Sequence, residues 1–171
     1  KVLLSGTIGE HGMAVMLARG DLAIDADIAS DTAPVHELVE ALLEAAPSTR
    51  WMRDATRGGV GTVCNELVKD RPFAVVVDEA RLPIEPQVLG ACDLLGIDPL
   101  YVANEGKFLA VVAPDEADAA VSALRAHPQG VRAAVVGEIV PEPHGIVALR
   151  TSFGGSRIVD MLVGDPLPRI C

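Results

Sequence analysis

The sequence predicts an α/β (α+β) domain: a mixed sheet with helices packed on one face. Three observations point there. Half of the 171 residues are hydrophobic, enough material for one buried core. Helix-period faces such as Val35, Leu38, Val39, Leu42 and Leu43 are interspersed with short apolar runs such as "PFAVVVDE" and "AAVVGEIV". The joints between them are short and polar, and no repeat, low-complexity stretch or long linker interrupts the chain.

Taken in order, "KVLLSG" reads as a strand running into the Gly-rich turn "GTIGEHG" and a short helix near residues 12–19. "ASDTAPVHELVEALLEAA" reads as a helix, with Asp31 or Thr32 as cap and Pro34 in the first turn. "MRDATRGGVGTVCNELVKD" reads as a polar loop feeding a helix whose apolar face is Val60, Val63, Cys64, Leu67 and Val68. "PFAVVVDE" is a buried strand, and residues 85–95 a helix with Val88, Leu89, Cys92 and Leu95 on one side. "PLYVANEGKFLAVVAP" reads as two strand segments around a polar turn at Asn104–Gly106. "DEADAAVSALRAH" is an amphipathic helix with Ala117, Ala120, Val121 and Leu124 inward. "AAVVGEIV" and "GIVALRT" are strands joined by a Pro/Gly-rich turn, and "FGGSRIVDMLVGD" leads to the last residues, "LPRIC". Residues 1–163 form the expected domain and 164–171 a flexible tail.

A net charge of −10 and a pI near 4.7 argue against a nucleic-acid footprint, which would be basic. No apolar run approaches the roughly 18 residues of a membrane span. The three cysteines show no CxxC spacing, and the four histidines no metal-ligand spacing, so no metal site of the chain's own is expected. Cys64 and Cys92 lie on apolar helix faces and read as inert core thiols. The set suits a reducing, cytoplasmic location. Only Cys171, the last residue, fits no apolar pattern. The chain opens at Lys1 inside a strand and without an initiator Met, as a fragment would.

Five segments carry possible chemistry. "RDATRGG" (residues 53–59) sets an acid, a hydroxyl, an arginine and two glycines before a helix. It reads either as an anion site formed by free helix N–H groups and Arg57, or as a helix capped by Asp54 or Thr56 with Gly58 and Gly59 only turning the chain. "ANEGK" (103–107) reads either as a plain polar turn or as a shielded Glu105 acting as general base. "SGTIGEHG" places His11 in a glycine loop, with no role assigned. "FGGSR", with Gly154–Gly155, is a tight turn or a further phosphate contact. The tail thiol is a modest nucleophile near its ordinary pKa of about 8.5, and it reads either as a covalent carrier or as a chain end without a role.

"SGTIGEHGMAVM", "SDTAP", "MRDATRGGV", "LYVANEGK", "FGGSRIVDM" and "LPRIC" stand in this order along nearly the whole chain. Together they resemble the hydrogenase expression/formation (maturation) protein HypE family of the aminoimidazole ribonucleotide synthetase superfamily, specifically its C-terminal half. The resemblance implies that Cys171 carries a carbamoyl group placed there by a partner carbamoyltransferase. ATP then drives its dehydration to a thiocyanate, the source of the cyanide ligand on the iron of [NiFe] hydrogenase, delivered through an iron-scaffold complex. It implies Glu105 as base, with Asp54, Thr56, Arg57, Gly58 and Gly59 near phosphate or the modified tail. Asn104 and Lys107 are weaker candidates for orienting the group. It further implies ATP and Mg bound mainly by an N-terminal half not in this chain, a full-length homodimer, and little activity for this half alone. A non-catalytic module that docks maturation partners is the alternative. Another synthetase of the superfamily is a weaker one, since its reactions need no tail thiol.

Overall fold

The computed structural model describes residues 1–20 and 26–162. Seven strands form one mixed sheet: β1 (Val2–Leu4), β2 (Trp51–Asp54), β3 (Ala74–Asp78), β4 (Phe108–Val111), β5 (Ala134–Val140), β6 (Val147–Arg150) and β7 (Ser156–Ile158). Their order across the sheet is β2-β4-β1-β5-β3-β6-β7. Only β3 and β6 run parallel; the other neighbours are antiparallel. The α-helices among the described residues are α1 (Glu10–Ala18), α2 (His36–Ala45), α3 (Gly59–Val68), α4 (Pro86–Leu95) and α5 (Ala117–Arg125).

The mixed α/β class is as expected, but the helices occupy both faces of the sheet, not one. The two-residue period of each strand sends alternate side chains to opposite sides. Val2, Leu4, Leu109 and Val111 pack with Val60, Val63, Cys64 and Val68 of α3. Leu3, Phe108 and Ala110 pack with Leu38 and Leu42 of α2 and Ala120 and Leu124 of α5. A third cluster joins α1 and α4 through Met13, Met16, Val88, Ala91 and Cys92. Leu43 and Leu89, expected on the inner faces, are each 42% exposed.

Four local expectations are corrected. Met52–Asp54 belong to a strand, because register with β4 (Met52↔Ala110, Asp54↔Phe108) supplies the ladder bonds that a polar edge sequence does not advertise. Residues Pro99–Tyr101 form a 3₁₀ turn: the Asp98 carboxylate accepts from the Leu100 N–H at 3.0 Å and Pro99 starts the turn. Helix α2 begins after Pro34, with Val35 at the N-cap and no side-chain cap, since Asp31 and Thr32 are bonded elsewhere. Helix α3 is entered through Gly58 (φ 68°) and Gly59 (φ 59°), and neither Asp54 nor Thr56 caps it. The strands β5 and β6 are joined by the Pro/Gly turn as expected, and β3 lies between them in the sheet.

The two described thiols behave as core. Burial pushes the Cys64 thiol up to about 12, and burial with the nearby Asp93 and Asp98 charges pushes Cys92 up to about 11. A raised pKa leaves almost no thiolate at pH 8. Iodoacetamide at pH 8 is therefore expected to leave Cys64 and Cys92 unmodified in the native protein and to label both after denaturation. Peptide mass mapping checks this, and native labelling of Cys64 would contradict its burial.

Candidate functional site

The site is assembled around Asn104, which is fully buried. Its Oδ1 accepts from the Gly9 N–H at 2.8 Å, in the loop between β1 and α1. Its Nδ2 donates to the carbonyls of Ala55 and Val102, both at 3.0 Å. Its own N–H also reaches the Ala55 carbonyl, and the Ala55 N–H returns to the carbonyl of Lys107. One amide side chain thus ties "SGTIGEHG", "RDATRGG" and "ANEGK" together. The amide is spent on backbone groups, so Asn104 builds the site and is not aimed at a ligand.

A fourth segment joins them. The Asp31 Oδ1 accepts from the Glu105 N–H at 3.1 Å, and its Oδ2 lies 3.5 Å from Lys107 Nζ. Lys107, expected to orient a substrate group, is 11% exposed and directed at Asp31. Gly106 fits because there is no room for more: a Cβ there would stand 2.1 Å from the Asp31 carbonyl oxygen. Ser30 and Thr32 on either side bond to each other at 2.8 Å, and Ser30 reaches His11 Nδ1 at 2.8 Å. His11 thus anchors the segment before α2, while its Nε2 is buried without a hydrogen-bond partner among the described residues.

Glu105 is half-buried, and its carboxylate makes no hydrogen bond or ion pair among the described residues. Arg57 is exposed and likewise unpaired among them. Asp54 is exposed and accepts from the Thr56 N–H at 3.4 Å, a local turn bond. Gly59 seats α3 against the turn that leads to Asn104; a Cβ there would lie 2.5 Å from the Leu100 carbonyl and 2.6 Å from that of Val102. The uncapped N-terminus of α3, Arg57 and the Glu105 turn are therefore connected through the Ala55–Asn104 contacts and the seat of Gly59. Among the described residues no group of three or more His, Cys, Asp or Glu could hold a metal ion.

The family model of AIR synthase related protein, C-terminal domain, matches residues 1–150. This chain belongs to that family. Carbamoyl dehydratase HypE of Cupriavidus necator is 49% identical over 170 residues, which are 99% of this chain and 48% of that protein. A structure of the hydrogenase maturation protein HypE in complex with ATP superposes with a TM-score of 0.90 at 37% identity, covering 99% of this chain and 52% of that one. A chain of a HypE–HypF complex superposes with a TM-score of 0.87 at 43% identity, covering 93% of this chain and 52% of its own. The chain spans about half the length of these relatives.

In this AIR synthase related domain the "FGGSR" motif is the β6–β7 hairpin. Its Arg157 is paired with Asp98, and Ser152 donates through N–H and hydroxyl to Glu79 at 2.7 and 2.8 Å. That arginine is not available as a phosphate contact. Cys171 and the tail from 164 lie outside the described residues. The approach to them is tied down: Asn65 Nδ2 donates to the Val159 carbonyl at 2.8 Å and the Tyr101 hydroxyl to the Asp160 carbonyl at 2.7 Å. Cys171 lies eleven positions beyond Asp160, a contour of at most about 40 Å. Asp31, Asn65 and Tyr101 were not picked out from sequence as site residues. Asp31 stood within "SDTAP", but its chemistry reads equally well as a helix cap. Among the described residues no helix is long and apolar enough to cross a membrane.

Proposed function

We propose that this chain is the carrier-bearing half of an ATP-dependent carbamoyl dehydratase of [NiFe] hydrogenase maturation. The observation that carries the reading is the joining of four separate motif segments at the Asn104–Lys107 turn, which presents Glu105. That carboxylate has no partner among the described residues, while the turn that carries it is held by the Asp31 and Asn104 contacts. The names of the HypE relatives and the ATP-bound HypE structure support the reaction class, and the HypE–HypF complex supports a carbamoyltransferase partner. An iron-scaffold complex as second partner, a full-length homodimer, a cytoplasmic location and Mg-ATP held mainly outside this chain belong to the same proposal.

The overall change is R–S–C(O)NH₂ + ATP → R–S–C≡N + ADP + phosphate, with R–S the Cys171 sulfur. The amide oxygen leaves on phosphate and the two N–H protons are lost, so no redox partner is needed. ATP supplies the phosphoryl group that makes this oxygen a leaving group. The chain's own contribution is a proton acceptor at the nitrogen, Glu105, as the C–O bond breaks and the nitrile forms. Arg57 and the free N–H groups of α3 stabilise the departing anionic oxygens. Pro166 and Pro168 lower the ordering cost of docking the tail.

The test is intact-mass and tail-peptide analysis of the full-length protein after incubation with a carbamoyltransferase and its substrates, before and after ATP. A carbamoyl mass on Cys171 that loses one water only with ATP is expected, and Cys171→Ala should remove the first adduct while leaving the fold intact. An unmodified Cys171 opposite an active partner would leave an interaction domain.

A further inference from the structure

Among the described residues, Asp31–Lys107 is the one ion pair in which both side chains are nearly buried, 4% and 11% exposed. Burying such a pair is a poor way to gain stability, because desolvation offsets most of the attraction. Its geometry points to a different use. Asp31 sits in an irregular stretch between α1 and α2, and its carboxylate spans a single three-residue turn. Oδ1 holds the N–H of Glu105 at one end, and Oδ2 faces the ammonium of Lys107 at the other. Between them Gly106 lies flat against the backbone of Asp31 itself. The same stretch is fixed from behind by the Ser30–His11 contact.

We infer that Asp31 is the positioning residue of Glu105: it clamps the Glu105 amide and, through Lys107, the far side of the same turn. The inference rests on the reading of Glu105 as the base. Asp31 touches no reacting atom; it acts by restricting where the Glu105 carboxylate stands. Lys107 then serves as counter-charge to Asp31, not as a substrate contact. A general base works only within hydrogen-bond reach of its proton, and a misplacement of about 1 Å costs on the order of 10²-fold in rate.

The test compares Asp31→Asn with Asp31→Leu in the full-length protein. Both remove the same charge and have nearly the same shape, but only Asn keeps an acceptor for the Glu105 N–H. Single-turnover dehydration of pre-carbamoylated protein is followed by mass. Asp31→Leu should be on the order of 10²-fold slower than Asp31→Asn. Carbamoyl acceptance and KM for ATP should agree between the two within about threefold, which a general loss of fold would not allow. Equal dehydration rates in the two variants would overturn the proposal.

Should neither variant fold, Gly106→Ala decides. A Cβ there must push the turn away from Asp31, so slowed dehydration at unchanged KM supports the clamp and a wild-type rate overturns it. Glu105→Gln run in parallel separates the two ideas. If it dehydrates normally, the base reading falls. If it is slow while the two Asp31 variants are equal, only the clamp falls. In a Glu105→Gln background, Asp31→Leu should add no further loss, the non-additivity expected when one residue acts through another.

Discussion

Asn104→Ala is expected to lower the unfolding free energy by about 3–5 kcal/mol, near the top of the range for single substitutions. The Asn104 side chain accepts from Gly9 and donates to Ala55 and Val102, with no exposure to water. The Ala55 carbonyl keeps a second donor, the Asn104 N–H, but the Gly9 N–H and the Val102 carbonyl lose the amide that satisfies them. Each buried polar group left without a partner costs about 1–3 kcal/mol, and the lost packing adds to that. Urea denaturation at equilibrium measures it. A loss below about 1 kcal/mol would mean that water replaces the amide, and that Asn104 is not the joint holding the three loops.

Glu105→Gln is expected to do the opposite: leave the fold and remove the chemistry. The contact Glu105 makes with Asp31 is through its backbone N–H, which Gln retains, and its carboxylate makes no bond among the described residues whose loss would destabilise the chain. Gln keeps the size and cannot take up a proton. The dehydration step should fall by about 10²–10⁴-fold, the range for removal of a positioned base. Loading of the carbamoyl group onto Cys171 and KM for ATP should change little. Rapid-quench mass analysis of one turnover separates these steps. Dehydration within threefold of the unaltered protein would remove Glu105 from the role and leave its isolation in the site unexplained. Together the two substitutions, at adjacent positions of one motif, distinguish the residue that builds the site from the one that works in it.

How much was legible beforehand depended on the kind of signal. The apolar periods of α3, α4 and α5 and the runs of β3 and β5 were readable because burial selects side chains locally, at every third or fourth residue or every second one. The inertness of Cys64 and Cys92 followed from the same faces. The motif residues Glu105, Arg57, Gly58 and Gly59 could be singled out because an acid, a cation and paired glycines between apolar segments are chemically conspicuous.

Other features were decided only by tertiary contacts. The polar strand Trp51–Asp54 exists because β4 offers it a ladder, and α2 takes no cap from Asp31 because Glu105 and Lys107, more than seventy positions away, compete for that carboxylate. The placing of helices on both faces follows from strand order, which local pattern does not encode.

The sequence by itself therefore determined which segments are apolar and periodic, and which residues have reactive chemistry. The tertiary structure alone decided that Asn104 is a strut, that Lys107 answers Asp31, and that Glu105 is left unpaired among the described residues. A hydrogen bond or ion pair between distant segments depends on distance and desolvation after folding, and neither quantity exists in the order of the letters.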